Sequence, residues 1–174
     1  RDAKLACSFL SFQISQGVDE TQLYSAIADL WTVGRSQPKE CDSIFKRWQK
    51  AGQLSEDLVL LRIKKAADGG SHTLIPYLKG LLDDDKKYLA DLWHKTRRDP
   101  ASVAKTSLFP SKYPLVEAEI MHYGLSRLIW RNTELALKTL KKAEQKVLFT
   151  NAQKSRVYGQ FAIKLAIDDH QKAS

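Results

Sequence analysis

Few of the side chains that commonly carry chemistry lie close together in this sequence. The four histidines occur singly, so no two are placed at i, i+4 on one helix and no HExxH metal-binding motif is present. The sequence also lacks the GxSxG nucleophile turn, the GxxxxGKS/T phosphate loop and the GxGxxG dinucleotide turn. We therefore predict no cofactor, no metal site and no catalytic residue within this chain.

The densest group of carboxylates is the run Asp83, Asp84 and Asp85, whose side chains would suit a cation. Lys86 and Lys87 follow at once and lead into a helical pattern. Acidic side chains at the start of a helix offset the positive end of its dipole. We interpret the run as a helix N-terminus rather than as a cation site.

The two cysteines, Cys7 and Cys41, are separated too widely for a CxxC redox or zinc motif, and no histidine nearby would complete a tetrahedral site. They are either two buried free thiols or one disulfide. The choice depends on the compartment, so the residues alone leave it open.

Basic residues become more frequent toward the C-terminus. The net charge is +8, and residues 127–174 carry 10 basic against 4 acidic side chains. Within a predicted helix there, lysines lie opposite Leu137, Leu140 and Val147. Such a face could hold an anionic polymer, although an ordinary solvated lysine-rich surface is the commoner explanation. The candidate contact residues are Arg127, Arg131, Lys138, Lys141, Lys142 and Lys146, with Lys154 and Arg156 as extensions.

Helices must position these residues, because apolar side chains recur at three- and four-residue spacing along most of the chain. Gly17 and Gly52 are placed to end helices, Ser55 to begin one, and Pro38 to occupy a first helical position. The predicted helices cover residues 2–16, 19–34, 38–52, 55–69, 73–82, 84–97, 100–108, 115–131, 133–147 and 151–168.

Short connections between successive helices predict antiparallel neighbours and an all-α fold. We favour an irregular α-superhelix of helix pairs, a segment similar to a tetratricopeptide solenoid, over a compact bundle. Leu5, Phe9 and Phe12 form the apolar stripe of the first helix, with Leu10 as a further candidate. The four tryptophans, Trp31, Trp48, Trp93 and Trp130, each lie on such a stripe and are expected in the core.

The composition is that of a water-soluble globular protein, with 43% hydrophobic and 28% charged residues. Uncharged runs are too short to span a membrane, which takes roughly 20 residues. The sequence starts at Arg1 and has one methionine, Met121, so we expect a piece of a longer or processed protein.

One stretch is more distinctive than the rest. The sequence LWTVGRSQPKECDSIFKRWQKAGQL, residues 30–54, resembles part of the soluble lytic murein transglycosylases of Gram-negative bacteria, in their N-terminal superhelical region, the U-domain. The resemblance is close over Cys7–Ala67 and thinner from there to about residue 170. The residues that carry it are Leu30, Trp31, Gly34, Ser36, Gln37, Pro38, Cys41, Asp42, Phe45 and Trp48.

The resemblance implies a periplasmic enzyme in which a ring-like superhelix precedes a linker domain and a lysozyme-like catalytic domain. That family cleaves the β-1,4 bond between N-acetylmuramic acid and N-acetylglucosamine with one glutamate, leaving a 1,6-anhydro product. Its Glu-Ser and Gly-Leu-Met-Gln motifs are absent here. Residues 1–174 would then be a single non-catalytic segment that scaffolds or guides peptidoglycan, with the rest of the parent chain as a partner.

The implied oxidising compartment favours a Cys7–Cys41 disulfide. Two other functions remain open. A helical-repeat adaptor for another protein is the stronger alternative. Nucleic-acid binding has only the net charge in its favour, and we predict no such partner.

Overall fold

The computed structural model describes residues 2–173. Within that range it contains nine α-helices and several short 3-10 turns, and no β-strand. The helices are α1 (Ala3–Ser15), α2 (Tyr24–Trp31), α3 (Asp42–Lys50), α4 (Glu56–Ala67), α5 (Ile75–Lys79), α6 (Lys87–Arg98), α7 (Pro114–Leu128), α8 (Thr133–Ala143) and α9 (Asn151–Ala173). The 3-10 turns are Glu20–Leu23, Lys39–Cys41, His72–Leu74, Pro100–Ala104 and Thr106–Leu108.

Short polar side chains and glycines set the helix ends. The Ser55 hydroxyl accepts a hydrogen bond from the Leu58 amide and begins α4, as predicted. Gly17 and Gly52 follow α1 and α3 with φ of 83° and 73°, a backbone conformation that glycine adopts without strain. Pro38 was predicted to be the first residue of a helix. It is instead the residue before the Lys39–Cys41 3-10 turn, which leads into α3.

The predicted helix over residues 100–108 is wrong. Asp99 accepts a hydrogen bond from the Ala101 amide and starts a 3-10 turn, Pro100–Ala104. Lys105 then adopts φ −83° and ψ 73°, outside the helical region, before a second short turn, Thr106–Leu108. Two turns therefore replace the α-helix, because the backbone leaves helical geometry after a few residues.

Internal contacts divide the chain into two compact units, residues 1–90 and 91–174. In unit 1, the first of these, α1, α2 and α3 pack together, and α4 packs against α5 and the His72–Leu74 turn. Trp31 and Trp48 lie in the core with ring centroids 5.9 Å apart. A disulfide joins Cys7 of α1 to Cys41, immediately before α3.

Helix α7 packs against α8, α9 and the Pro100–Ala104 turn in unit 2, which covers residues 91–174. Gly124 makes the close approach possible, since a Cβ there would overlap with the Val103 side chain and press on Thr96. Trp93 of α6 packs near Tyr123, with ring centroids 5.3 Å apart.

The predicted burial of the α1 stripe is wrong. Leu5, Phe9 and Phe12 are 69%, 58% and 57% exposed, whereas Cys7 and Leu10 face the core. The disulfide explains the rotation, because Cys7 must point at Cys41 and the stripe then lies on another side of the helix.

The burial of three of the four tryptophans is as predicted, since Trp31, Trp48 and Trp93 are each about 1% exposed. Trp130 is 48% exposed and corrects the fourth prediction. Helix α7 ends at Leu128, so Trp130 lies in the turn beyond it and not on the buried side of the helix.

Candidate functional site

Most of the basic side chains proposed from the sequence are exposed, and some of these also bond to other groups of the protein. Lys138, Lys141 and Lys142 are exposed on α8, where their spacing places them on one side of the helix. Lys138 donates to Glu134 at 2.7 Å, and this hydrogen bond lowers the pKa of that carboxyl group. Arg131, Lys154 and Arg156 are also exposed.

Two members of the set are held by the protein itself. The Lys146 amine lies beyond the end of α8 and donates to the Thr106 carbonyl at 2.9 Å. Arg127 is half-buried, donates to the Tyr123 hydroxyl at 3.0 Å and lies over the Tyr123 ring. Leu137, expected on the buried side of α8, is 43% exposed and lies beside the lysines. Of the six proposed contact residues, Arg127 is thus half-buried, whereas Lys146 is exposed but already donates to a backbone carbonyl.

A buried arginine that the sequence pattern did not single out fastens a loop in unit 1. Arg62 of α4 is only 5% exposed and donates to the carbonyls of Val33 and Arg35, each at 3.2 Å. Its guanidinium also lies over the Trp31 ring, 4.5 Å from the centroid. Burial lowers the pKa of this guanidinium because the charged form loses hydration.

The same loop is pinned by its glycine. The Ser71 amide donates to the Gly34 carbonyl at 2.8 Å, and a Cβ on Gly34 would overlap with the Lys65 carbonyl oxygen of α4. Gly34 therefore lies against the helix backbone, where no larger residue fits. This contact gives a structural reason for one glycine of the distinctive stretch.

In unit 2, a buried glutamate holds an irregular backbone segment in the same way. Glu117 of α7 is fully buried and accepts hydrogen bonds from the Ser111 and Lys112 amides at 2.9 Å and from the Tyr113 amide at 3.2 Å. Ser111 has φ 63°, an uncommon conformation for a residue other than glycine. The carboxylate thus holds an irregular turn at the start of α7. A glutamate three residues after a helix-starting proline, here Pro114, is the signal that could have found it.

A half-buried ion pair also links two parts of unit 1. Glu56 of α4 accepts from the Lys86 amine and from the Asp83 amide. These hydrogen bonds, chiefly the one from Lys86, lower the pKa of Glu56. The predicted acidic run thus lies in the turn that leads into α6, as expected for a helix start. Within residues 2–173, no three potential ligands from His, Cys, Asp and Glu cluster as a metal site.

The curated proteins similar to this chain share one name. No model of a protein family matches the chain. The soluble lytic murein transglycosylase of Salmonella typhimurium is 27% identical over 142 residues, and that of Escherichia coli K12 is 25% identical over the same length. Each match covers 80% of this chain and 22% of the relative. The chain is a homologue of a segment of these transglycosylases. It spans about a fifth of their length.

Solved structures agree with the sequence comparison. An inactive E503Q mutant of the lytic transglycosylase Slt from Pseudomonas aeruginosa is 29% identical, with a TM-score of 0.78 over 94% of this chain and 26% of that one. The E. coli 70-kDa enzyme is 19% identical, with a TM-score of 0.72 over 91% of this chain and 25% of that one, and shows the fold alone. These likenesses confirm the predicted fold class, an irregular all-α superhelix. None of the helices within residues 2–173 is long and apolar enough to cross a membrane.

Proposed function

We propose that this chain is a non-catalytic segment of a periplasmic lytic transglycosylase and holds or guides peptidoglycan for a catalytic domain elsewhere in the same protein. The parent enzyme would cleave the β-1,4 bond between N-acetylmuramic acid and N-acetylglucosamine and form a 1,6-anhydro product. The observation that carries the proposal is the 29% identity to the Pseudomonas enzyme over 94% of this chain.

Two features of the chain support a non-catalytic role. None of its glutamates is followed by serine, so the family's Glu-Ser motif has no counterpart here. Glu117, the fully buried glutamate, accepts three backbone hydrogen bonds. The carboxylate is therefore enclosed by the protein, whereas a general acid must lie within hydrogen-bond reach of its substrate.

The compartment follows from the same proposal. A structural disulfide persists in an oxidising environment, and the bacterial periplasm is one. The Cys7–Cys41 bond is therefore consistent with export to the periplasm.

Contact with peptidoglycan would fall to the exposed lysines of α8. Lys138, Lys141 and Lys142 present positive charge on one side of that helix, and the stem peptides of peptidoglycan carry carboxylates. Each exposed contact contributes little by itself, so binding would be weak and would fall as salt is added.

Sedimentation with purified sacculi tests the proposal. We expect the chain to pellet with sacculi at low salt and the triple variant Lys138→Glu, Lys141→Glu, Lys142→Glu to stay largely in the supernatant. A control variant, Lys39→Glu with Lys50→Glu, reverses exposed charges in unit 1 and should still pellet. Wild-type protein left in the supernatant, or equal loss in both variants, would count against a role for α8.

One observation favours the adaptor alternative. The exposed stripe Leu5, Phe9 and Phe12 gives α1 an apolar face of the kind that packs on another polypeptide. An adaptor of that kind would be indifferent to sacculi at every salt concentration, so the sedimentation experiment separates the two functions.

A further inference from the structure

A cleft of about 400 Å³ opens in unit 1 beside the buried arginine. Its inner part is formed by Trp31 and Arg62, which are 1% and 5% exposed. Its outer part includes Lys46 of α3 and Tyr77 of α5, both exposed. The volume lies within the range of small-molecule sites, roughly 300 to 1,000 Å³.

The positive charge of Arg62 has no carboxylate partner in the described part of the chain. Its Nε and one terminal nitrogen donate to the carbonyls of Val33 and Arg35, which are neutral. A guanidinium carries five N–H donors, so the other terminal nitrogen keeps its hydrogens for another acceptor. Asp42 also lines the cleft, but it is exposed and forms no ion pair with Arg62 among residues 2–173.

The surroundings fit a planar anion attached to a polar body. A carboxylate pairs with an arginine in the strongest class of protein hydrogen bond. Lys46 adds a second positive charge at the cleft, and Gln37 and Tyr77 offer an amide and a phenol. The Gln37 amide is held in place, because its nitrogen donates to the Leu30 carbonyl at 2.9 Å.

We propose that this Arg62 cleft is a binding site for the carboxylate of a small peptidoglycan unit. The choice of ligand rests on the proposed function, whereas the preference for a carboxylate rests on the cleft itself. Two sources present this chemistry. One is the carboxylate of N-acetylmuramic acid, and the other is the free C-terminus of a short peptide.

Nuclear magnetic resonance titration of the chain tests the site. N-acetylmuramic acid and N-acetyl-D-alanyl-D-alanine are added separately, while the Arg62 Nε–H and Trp31 indole resonances are followed. We expect saturable shifts at both resonances with a Kd of about 1 mM for at least one ligand. The ligand that binds more tightly identifies the source of the carboxylate. N-acetylglucosamine, a related neutral sugar, should bind at least 10-fold more weakly.

A matched pair of variants on α3 keeps the test independent of folding. Lys46→Glu places a negative charge at the cleft without touching the Arg62 contacts and should weaken binding at least 10-fold. Lys50→Glu makes the same charge change outside the cleft and should leave Kd unchanged. Arg62→Lys, which keeps the charge but loses the planar fork, should also weaken binding. Three results would overturn the site. The first is the absence of shifts at a ligand concentration of about 20 mM, roughly 20-fold above the expected Kd. The others are an equal response to the neutral sugar and equal effects of Lys46→Glu and Lys50→Glu on binding.

The sacculus experiment and this titration fail separately. A chain that pellets with sacculi but does not bind either carboxylate contradicts the cleft and leaves the proposed function standing. A chain that binds a carboxylate at Arg62 but ignores sacculi supports the cleft and contradicts the proposed function.

Discussion

Arg62 in unit 1 and Glu117 in unit 2 are buried side chains of opposite charge with the same structural role. Arg62 donates to two carbonyls of the loop after α2, and Glu117 accepts from three amides of the turn before α7. Each therefore fastens an irregular segment to a helix with backbone hydrogen bonds. A buried charge is tolerated where such partners compensate its lost hydration.

The difference lies in what remains after those bonds are made. Glu117 is fully enclosed and caps its turn, whereas Arg62 borders a cleft and has donors beyond the two it uses. A carboxylate in a closed site serves the fold alone. A guanidinium at the edge of a cleft can hold a loop and still receive a ligand.

The largest effect is expected from Glu117→Ala. The change removes the buried acceptor of three backbone amides and the support of the left-handed Ser111, so we expect a loss of about 4 to 5 kcal/mol in the free energy of unfolding. Chemical denaturation followed by circular dichroism measures this loss. Glu117→Asp, which keeps the charge on a shorter side chain, is the control and should cost less. A loss below about 1 kcal/mol for Glu117→Ala would show that water replaces the carboxylate.

Reduction of the disulfide should come next and should act on unit 1 alone, because both cysteines lie there. A covalent link across a sequence separation of 34 residues stabilises by about 3 to 4 kcal/mol on the chain-entropy account. Denaturation of the Cys7→Ser, Cys41→Ser double variant measures that contribution, and a reducing agent added to the variant should change nothing further. Two free thiols in unreduced protein, detected by mass spectrometry, would contradict the bond.

Arg62→Met should have a smaller effect than either. The methionine fills much of the same volume, but two carbonyls lose a charged donor, and we expect a loss of about 2 kcal/mol. Arg62 itself borders the cleft, so water can enter the space that its guanidinium leaves, which limits the cost in a way that the closed Glu117 site does not allow. Equilibrium denaturation of the Arg62→Met and Glu117→Ala variants under identical conditions gives the comparison. Equal losses would remove the distinction between an open and a closed buried charge.

The half-buried pair of Glu56 and Lys86 should give the smallest effect, about 0.5 kcal/mol, because solvent still screens it. Because the folded state lowers the pKa of Glu56, its contribution is complete above the unfolded pKa, near 4.5, and is lost as the pH falls through the lower folded value. Other carboxylates titrate in the same range, so the measurement is the difference in unfolding free energy between wild type and Glu56→Gln from pH 6 to pH 2. A difference that grew on acidification would have the wrong sign for a lowered pKa.

The helical class and most helix positions can be predicted from the sequence alone, because they depend on local periodicity and capping residues, and one distinctive stretch carries the resemblance to lytic transglycosylases. Ser55 and Gly52 set helix ends through neighbouring backbone groups, so their roles can be predicted from the sequence. It also supplied the two cysteines, although only the resemblance favoured their pairing.

Which side of each helix is buried, and which partner each charged side chain contacts, depends on the tertiary structure. The apolar spacing of α1 predicts that Leu5 and Phe9 are buried, but in the structure the side that carries Cys7 and Leu10 faces the core and Leu5 and Phe9 are exposed. Nothing in the local sequence separates Lys146 from Lys142 as a surface lysine. In the structure, however, Lys146 donates to the carbonyl of Thr106, 40 residues away. Arg62 reaches backward by 27 and 29 residues in the same manner. Such contacts join residues that no helical period relates, so they exist only once the helices have packed.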